Sequence, residues 1–170
     1  SRTTILVAAM ESTDIAVLTT AQVKGLTAAQ LGTLDTTQLN SLTTTQIGVL
    51  TTTQLRALTT TQIADLTTTQ IAGLTTAQIA GLTTTQVAAF ETTDLAALDT
   101  TQYAGFTTAE LAALTTDQVA ALESTDIAVL TTAQVKGLTA TQLGTLDTTQ
   151  LNALTTAQLA ALTATQLAGL

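Results

Sequence analysis

The sequence predicts an all-α fold, a solenoid of very short helices with one helix in each eight-residue repeat. Three observations predict it: an unbroken octad of apolar residues, a helix-start signature in nearly every octad, and charges that follow the direction of each short helix. Together they outweigh two alternatives, a single continuous helix and a β-solenoid.

The repeat is defined by two apolar series. Leu, Phe or Met occupies every eighth residue from Met10 to Leu170, and five residues after each comes Leu, Ile or Val, with Tyr103 as the exception. The consensus octad is L-T-T-(T/A)-Q-(L/I/V)-A-(G/A), numbered here as positions 1 to 8 from the leucine. Residues 1–9 keep the spacing but lose the pattern. We therefore expect a degenerate start at 1–9 and an octad array at 10–170.

Duplication within the array indicates that the chain derives from a longer array. The stretch 15–42 is repeated almost unchanged at 127–154. We therefore interpret the chain as a fragment of a longer array.

The octad carries a helix-start signature at positions 1 to 6. With the Thr at position 2 as N-cap, Gln falls at N3, which is the spacing of a capping box. Leu at position 1 and the apolar residue at position 6 then form a hydrophobic staple, as in Leu74 with Ile79. The representative capping pairs are Thr19 with Gln22, Thr43 with Gln46, and Thr75 with Gln78.

Charges agree with this frame because a helix dipole favours acids at its start and bases at its end. Acidic residues occupy the cap in Asp35, Asp99 and Asp147, whereas Lys24, Arg56 and Lys136 lie near the ends of their octads. Asp65 is the exception, an acid at a helix end. Glycine at position 8, as in Gly25, Gly73 and Gly137, is typical of a helix stop.

The two alternatives fit the octad less well. In one continuous helix the apolar stripe would drift by about 80° in each repeat. In a straight strand, positions five residues apart point to opposite faces. The scarcity of Asn-Gly and Asp-Gly turns also disfavours a β-solenoid.

Composition excludes several function classes. The chain of 170 residues has no His and no Cys, a net charge of −8, and only 9% charged residues. Without His or Cys it lacks the usual general base and thiol nucleophile, so we expect neither an enzyme nor a cofactor. Nucleic acids require Lys and Arg, which are too few here. The longest apolar run is too short to span a membrane, so we expect no membrane insertion.

Three octads replace Thr and Gln with Glu and Asp. Paired carboxylates are candidate Ca²⁺ ligands. The alternative is structural: Ser12, Thr92 or Ser124 helps to cap the turn while the acids meet the helix N-terminus. The candidate pairs are Glu11 with Asp14, Glu91 with Asp94, and Glu123 with Asp126.

The octads resemble the Thr/Gln-rich tandem repeats of very large, adhesin-like bacterial surface or secreted proteins, on the pattern L-T-x-x-Q-(I/V/L)-x-x-L over residues 10–170. The resemblance implies an extracellular or cell-surface spacer or fibre. We therefore expect a structural rod, stalk or filament that associates with itself head to tail or side by side. The alternative function is a binding module for ice, a glycan or a protein, using a regular Thr-rich face or the variable positions 7 and 8.

Overall fold

The computed structural model describes the backbone of residues 2–170 and the side chains from residue 4 onward. Over this part of the chain it contains 21 short helices and no strand. The predicted solenoid of short helices is confirmed, and the β-solenoid alternative is wrong. In chain order the helices are α1 Arg2–Ala8, α2 Ser12–Ala16, α3 Thr20–Gly25, α4 Ala28–Leu31, α5 Thr36–Asn40, α6 Thr44–Gly48, α7 Thr52–Arg56, α8 Thr60–Ala64, α9 Thr68–Ile71, α10 Thr76–Ile79, α11 Thr84–Val87, α12 Thr92–Ala96, α13 Thr100–Tyr103, α14 Thr108–Ala113, α15 Thr116–Ala120, α16 Ser124–Val129, α17 Thr132–Gly137, α18 Ala140–Leu143, α19 Thr148–Ala153, α20 Thr156–Ala161 and α21 Ala164–Leu167.

Each helix is a single turn or slightly more, as the octad containing Thr75 illustrates. Thr75 has an extended backbone (φ −78°, ψ 158°), and its carbonyl accepts the first helical hydrogen bond from Ile79 at 3.0 Å. The N–H of Leu82 then bonds to the carbonyl of Ile79 at 3.0 Å, which closes the helix before the next extended cap. Extended caps therefore redirect the chain once in every octad.

The helices wind into a superhelix whose turns stack on one another. Helix α14 packs on both α11 and α17, and this spacing of three helices recurs along the chain. Side chains also reach backbone atoms 28 and 31 residues earlier, as from Gln78 to Leu50 and Ile47. One superhelical turn thus contains between three and four octads, a number that the repeat alone does not give.

The apolar series meet in one continuous core inside the superhelix. Position 6 is the better shielded: Ile79 is 0% exposed and Leu74, at position 1, is 3% exposed. Full burial of such a side chain contributes about 1.5–3 kcal/mol. Because one octad offers only two such residues, its burial depends on the neighbouring turns.

Helices α3 and α17 end at the position 8 glycines Gly25 and Gly137, as expected, but without a left-handed glycine backbone. None of the glycines in the described chain has a positive φ, so Gly25, Gly73 and Gly137 are not left-handed helix stops. At Gly105 a Cβ atom would lie 2.8 Å from the carbonyl oxygen of Thr76 and 2.9 Å from its Cα. The missing side chain there allows the backbone of the preceding turn to approach.

No helix in the described part of the chain is long and apolar enough to cross a membrane.

Candidate functional site

The Thr–Gln pairs make reciprocal contacts at the helix starts. The N–H of Gln78 donates to Thr75 Oγ1 at 3.2 Å, and the N–H of Thr75 donates to Gln78 Oε1 at 2.8 Å. These are the two hydrogen bonds of a capping box, and each satisfies a backbone donor that the helix leaves free. The pairs Thr19–Gln22 and Thr43–Gln46 have the same arrangement.

The same glutamines also join successive turns through their amide nitrogens. Gln78 Nε2 donates to the carbonyls of Ile47 and Leu50, both at 2.8 Å, and Gln78 is only 3% exposed. We call this series the glutamine ladder, whose members all donate to carbonyls 28 to 31 residues earlier: Gln38, Gln46, Gln54, Gln62, Gln70, Gln78, Gln86, Gln102, Gln118, Gln134, Gln142, Gln150, Gln158 and Gln166.

Sequence reasoning missed the inter-turn bonds of the glutamine ladder, although the sequence held a signal. A capping box accepts Glu and Gln equally, because only the side-chain oxygen is used. The chain nevertheless has Gln at position 5 in nearly every octad. That preference indicates a second role for the amide nitrogen, which Glu lacks.

The two faces of each turn are therefore different. The glutamines are buried by the turn before them: Gln22, in the first turn, is exposed, whereas Gln78 is buried. The position 6 residues are buried by the turn after them: Leu159 and Leu167, in the last turn, are 41% and 51% exposed. One end of the solenoid thus presents glutamines and the other presents leucines.

Three acids take the place of glutamine inside the ladder. Asp94 and Glu110 are 2% exposed, and Asp126 is 6% exposed. In each case burial raises the pKa of the carboxyl group, while the hydrogen bond from the backbone N–H of the cap residue opposes the rise. A carboxylate at this position accepts the capping hydrogen bond but has no proton to donate to the preceding turn.

Tyr103 supplies a donor beside one of these acids. Its hydroxyl donates to the carbonyl of Leu95 at 2.8 Å, and Leu95 lies 31 residues before Asp126. A glutamine at 126 would bond to that same carbonyl by the rule of the ladder. Burial raises the pKa of the Tyr103 phenol, and the charges of Asp126 and Glu123 raise it further.

The candidate calcium pairs contact their own helix starts. The N–H groups of the three cap glutamates donate to the aspartates of the same octads, at 3.3 Å in Glu11–Asp14, 2.9 Å in Glu91–Asp94 and 3.2 Å in Glu123–Asp126. Within the described chain no group of three or more acidic, His or Cys residues could hold a metal ion.

The expected capping role of three hydroxyl residues is wrong. The N-caps are the glutamates, and Ser12, Thr92 and Ser124 are the first residues of their helices. The helix starts one residue after the cap in every octad, so the hydroxyl falls at N1.

Position 8 lies against the preceding turn. Asp65, the acid at a helix end, accepts a hydrogen bond from Thr36 Oγ1 at 2.7 Å. Thr36 is the first residue of α5, so the carboxylate of Asp65 also lies near a helix N-terminus, where the dipole favours it. At Asp65, position 8 therefore contributes to packing between turns.

Comparison with protein families gives a match over residues 7–156. Six overlapping segments match the family described as ALTTAQ repeat, at residues 7–44, 34–68, 47–84, 64–90, 87–123 and 119–156. Neither the curated proteins nor the solved structures include one that matches this chain.

Proposed function

Since the chain belongs to the ALTTAQ repeat family, we propose that it is a structural repeat protein, a rod or stalk whose units also join head to tail. The observation that carries this proposal is the glutamine ladder, which joins each turn to the one before it by the same contacts along the array. Such an array is extended by adding turns, as in other one-dimensional repeat proteins.

The polarity of the stack supports head-to-tail association, because the glutamines of each turn bond to the turn before it, whose position 6 residues the stacking buries. Exposed Leu159 and Leu167 occupy the positions that are 0% exposed in the middle of the array. The opposite end presents exposed Gln22, which makes capping contacts with Thr19. A second copy stacked on the leucine end would reproduce the contacts between turns, and such heterologous contacts propagate without closing.

A location outside the cell or at a bacterial cell surface is part of the proposal. It rests on the resemblance to Thr/Gln-rich surface repeats, together with an acidic chain that lacks cysteine. The proposal includes no catalytic activity, on the ground that the chain has no His and no Cys.

Electron microscopy over a concentration series tests the self-association. We expect uniform fibres that lengthen as the protein concentration rises. The variant Leu167→Lys should form shorter fibres. Val129→Lys is the matched control, because Val129 is 42% exposed on a helix inside the array. Short rods at every concentration would reject head-to-tail association. Equal effects of the two lysines would place the contact on the side of the rod instead.

A further inference from the structure

The acids inside the glutamine ladder reverse its hydrogen-bonding chemistry. At the ladder positions the side chain offers one acceptor to its cap and, as in Gln78, two N–H donors to the preceding turn. An ionised carboxyl group offers acceptors only. Asp94, Glu110 and Asp126 therefore bring acceptors to positions where the other octads have a donor.

Glu110 has the same length as glutamine, so its atoms can be matched one to one. Its Oε2 accepts from the N–H of Thr107 at 2.6 Å, as Gln78 Oε1 accepts from Thr75 at 2.8 Å. The other carboxyl oxygen then takes the place of the amide nitrogen. In the ladder spacing, the carbonyls that correspond to this atom are those of Leu82 and Ile79, 28 and 31 residues earlier.

We propose that Asp94, Glu110 and Asp126 make the stacking of turns dependent on pH, so that protonation of these buried carboxyl groups strengthens it and ionisation weakens it. A proton from solvent converts the free oxygen of Glu110 into a donor toward the Leu82 carbonyl. Asp94 and Asp126 are one methylene shorter, and protonation removes their buried charge. The turns in the middle of the solenoid are thus more stably stacked in acid than at neutral pH.

The positive charges near Glu110 lower its pKa less than burial raises it. Helix α14, which carries Glu110, packs on α11, which has no charged residue, and on α17, which carries Lys136. The charge of Arg56 lowers the pKa of Glu110, but burial outweighs it and the net pKa is raised.

The surroundings of Asp94 are acidic. Its helix packs on α9, which has no charged residue, and on α15, which carries Asp117. Glu91, the cap of the same helix, raises the pKa of Asp94. In the ladder spacing, the residue 28 positions before Asp94 is Leu66. The acid Asp65 lies next to Leu66 in the chain.

Acids and the tyrosine surround Asp126. Its helix packs on α13, which carries Tyr103 behind the cap Asp99, and on α19, whose cap is Asp147. Glu123 raises the pKa of Asp126, after the larger effect of burial. In the described part of the chain, neither these packed helices nor their caps carry a Lys or Arg side chain.

The sign of the pH dependence follows from the raised pKa of all three groups. The folded chain binds these protons more tightly than the unfolded chain does, where carboxyl pKa values are about 4. The stabilisation is complete below that unfolded pKa and is lost as the pH rises through the raised pKa of the folded state.

Urea unfolding between about pH 4.5 and about pH 8, a range above the ordinary carboxyl pKa, tests the proposal. We expect the urea concentration at half-unfolding of the unmutated chain to fall as the pH rises. Glu110→Gln, which restores the ladder residue, should reduce that fall and raise the midpoint at neutral pH. The triple variant D94N/E110Q/D126N should be nearly independent of pH. The matched control Asp14→Asn changes an acid at the same position of an early octad, where the side chain is exposed, and should leave the dependence unchanged.

Two outcomes would overturn the proposal. One is a triple variant whose midpoint falls with pH as steeply as that of the parent chain. The other is a ¹³C NMR titration in which the Glu110 carboxyl carbon has an ordinary midpoint, about pH 4.3. The titration reads the group directly in the folded chain, so it does not depend on the folding of any variant.

Discussion

The hydroxyl of Tyr103 and the carbonyl of Leu95 are joined by a buried hydrogen bond of 2.8 Å. For most of the ladder glutamines, the carbonyl of the position 6 residue 31 residues earlier accepts from the side-chain amide, as Ile47 does from Gln78. For Leu95 the corresponding residue is Asp126. The aromatic side chain thus interrupts the aliphatic series where the ladder lacks a donor.

Tyr103→Phe should destabilise the chain because it removes this donor and keeps the ring. The expected loss is about 0.5–1.5 kcal/mol, the net contribution of one hydrogen bond, because the Leu95 carbonyl keeps the N–H of Leu98 at 3.1 Å. Asp126→Gln in the same chain should recover much of the loss, since a glutamine there can donate to Leu95. A double-mutant cycle by urea unfolding measures this coupling, and strictly additive effects would show that the two residues do not serve the same carbonyl.

Gln78→Ala and Thr75→Ala should separate the two roles of a ladder glutamine. Thr75→Ala removes only the cap, and we expect a loss of about 1 kcal/mol. Gln78→Ala also removes the bonds to Ile47 and Leu50 and leaves buried acceptors, so we expect about 2–4 kcal/mol. Chemical denaturation measures both variants, and equal losses would mean that the bonds between turns contribute nothing to stability.

Gly105→Ala should be destabilising by about 1–3 kcal/mol, the usual cost of overpacking. The new Cβ would lie within 3.0 Å of backbone atoms of Thr76, which cannot rotate away as a side chain can. Gly25→Ala is the control, since a Cβ added there would meet no atom within 4 Å and its φ is not positive. There we expect no loss, or a gain of about 0.5–1 kcal/mol from reduced freedom of the unfolded chain. Thermal unfolding compares the two, and a harmless Gly105→Ala would contradict the close packing of turns.

Asn40→Ala should be neutral or stabilising. The Oδ1 atom of Asn40 is buried without a hydrogen-bond partner, and alanine is the consensus residue at position 7. Removing an unsatisfied buried acceptor relieves a cost of about 1–3 kcal/mol, offset by the loss of the rest of the side chain. Asn152→Ala, at the equivalent exposed position of the duplicated stretch, should change less. Thermal unfolding of both variants measures the difference, and a clear loss at Asn40 alone would mean that its NH₂ group contributes more than its carbonyl costs.

The sequence by itself determined the features that depend on residues within one octad. The one-helix unit and its contacts at the cap join residues three or four apart, as Thr75 does with Gln78 and Ile79. Hydrophobic spacing likewise marked the residues that form the core, such as Leu74 and Ile79. These contacts are local, and residue type with spacing is enough to specify them.

Only the tertiary structure decided what joins one turn to the next. The bonds of Gln78 to Ile47, the closeness of Gly105 to Thr76, and the bond from Thr36 to Asp65 span 29 to 31 residues. Which residues meet over that distance depends on the number of octads in a superhelical turn, and that number follows from how the short helices pack. The spacing of eight fixes the unit, whereas the geometry of stacking assigns each buried polar group its partner.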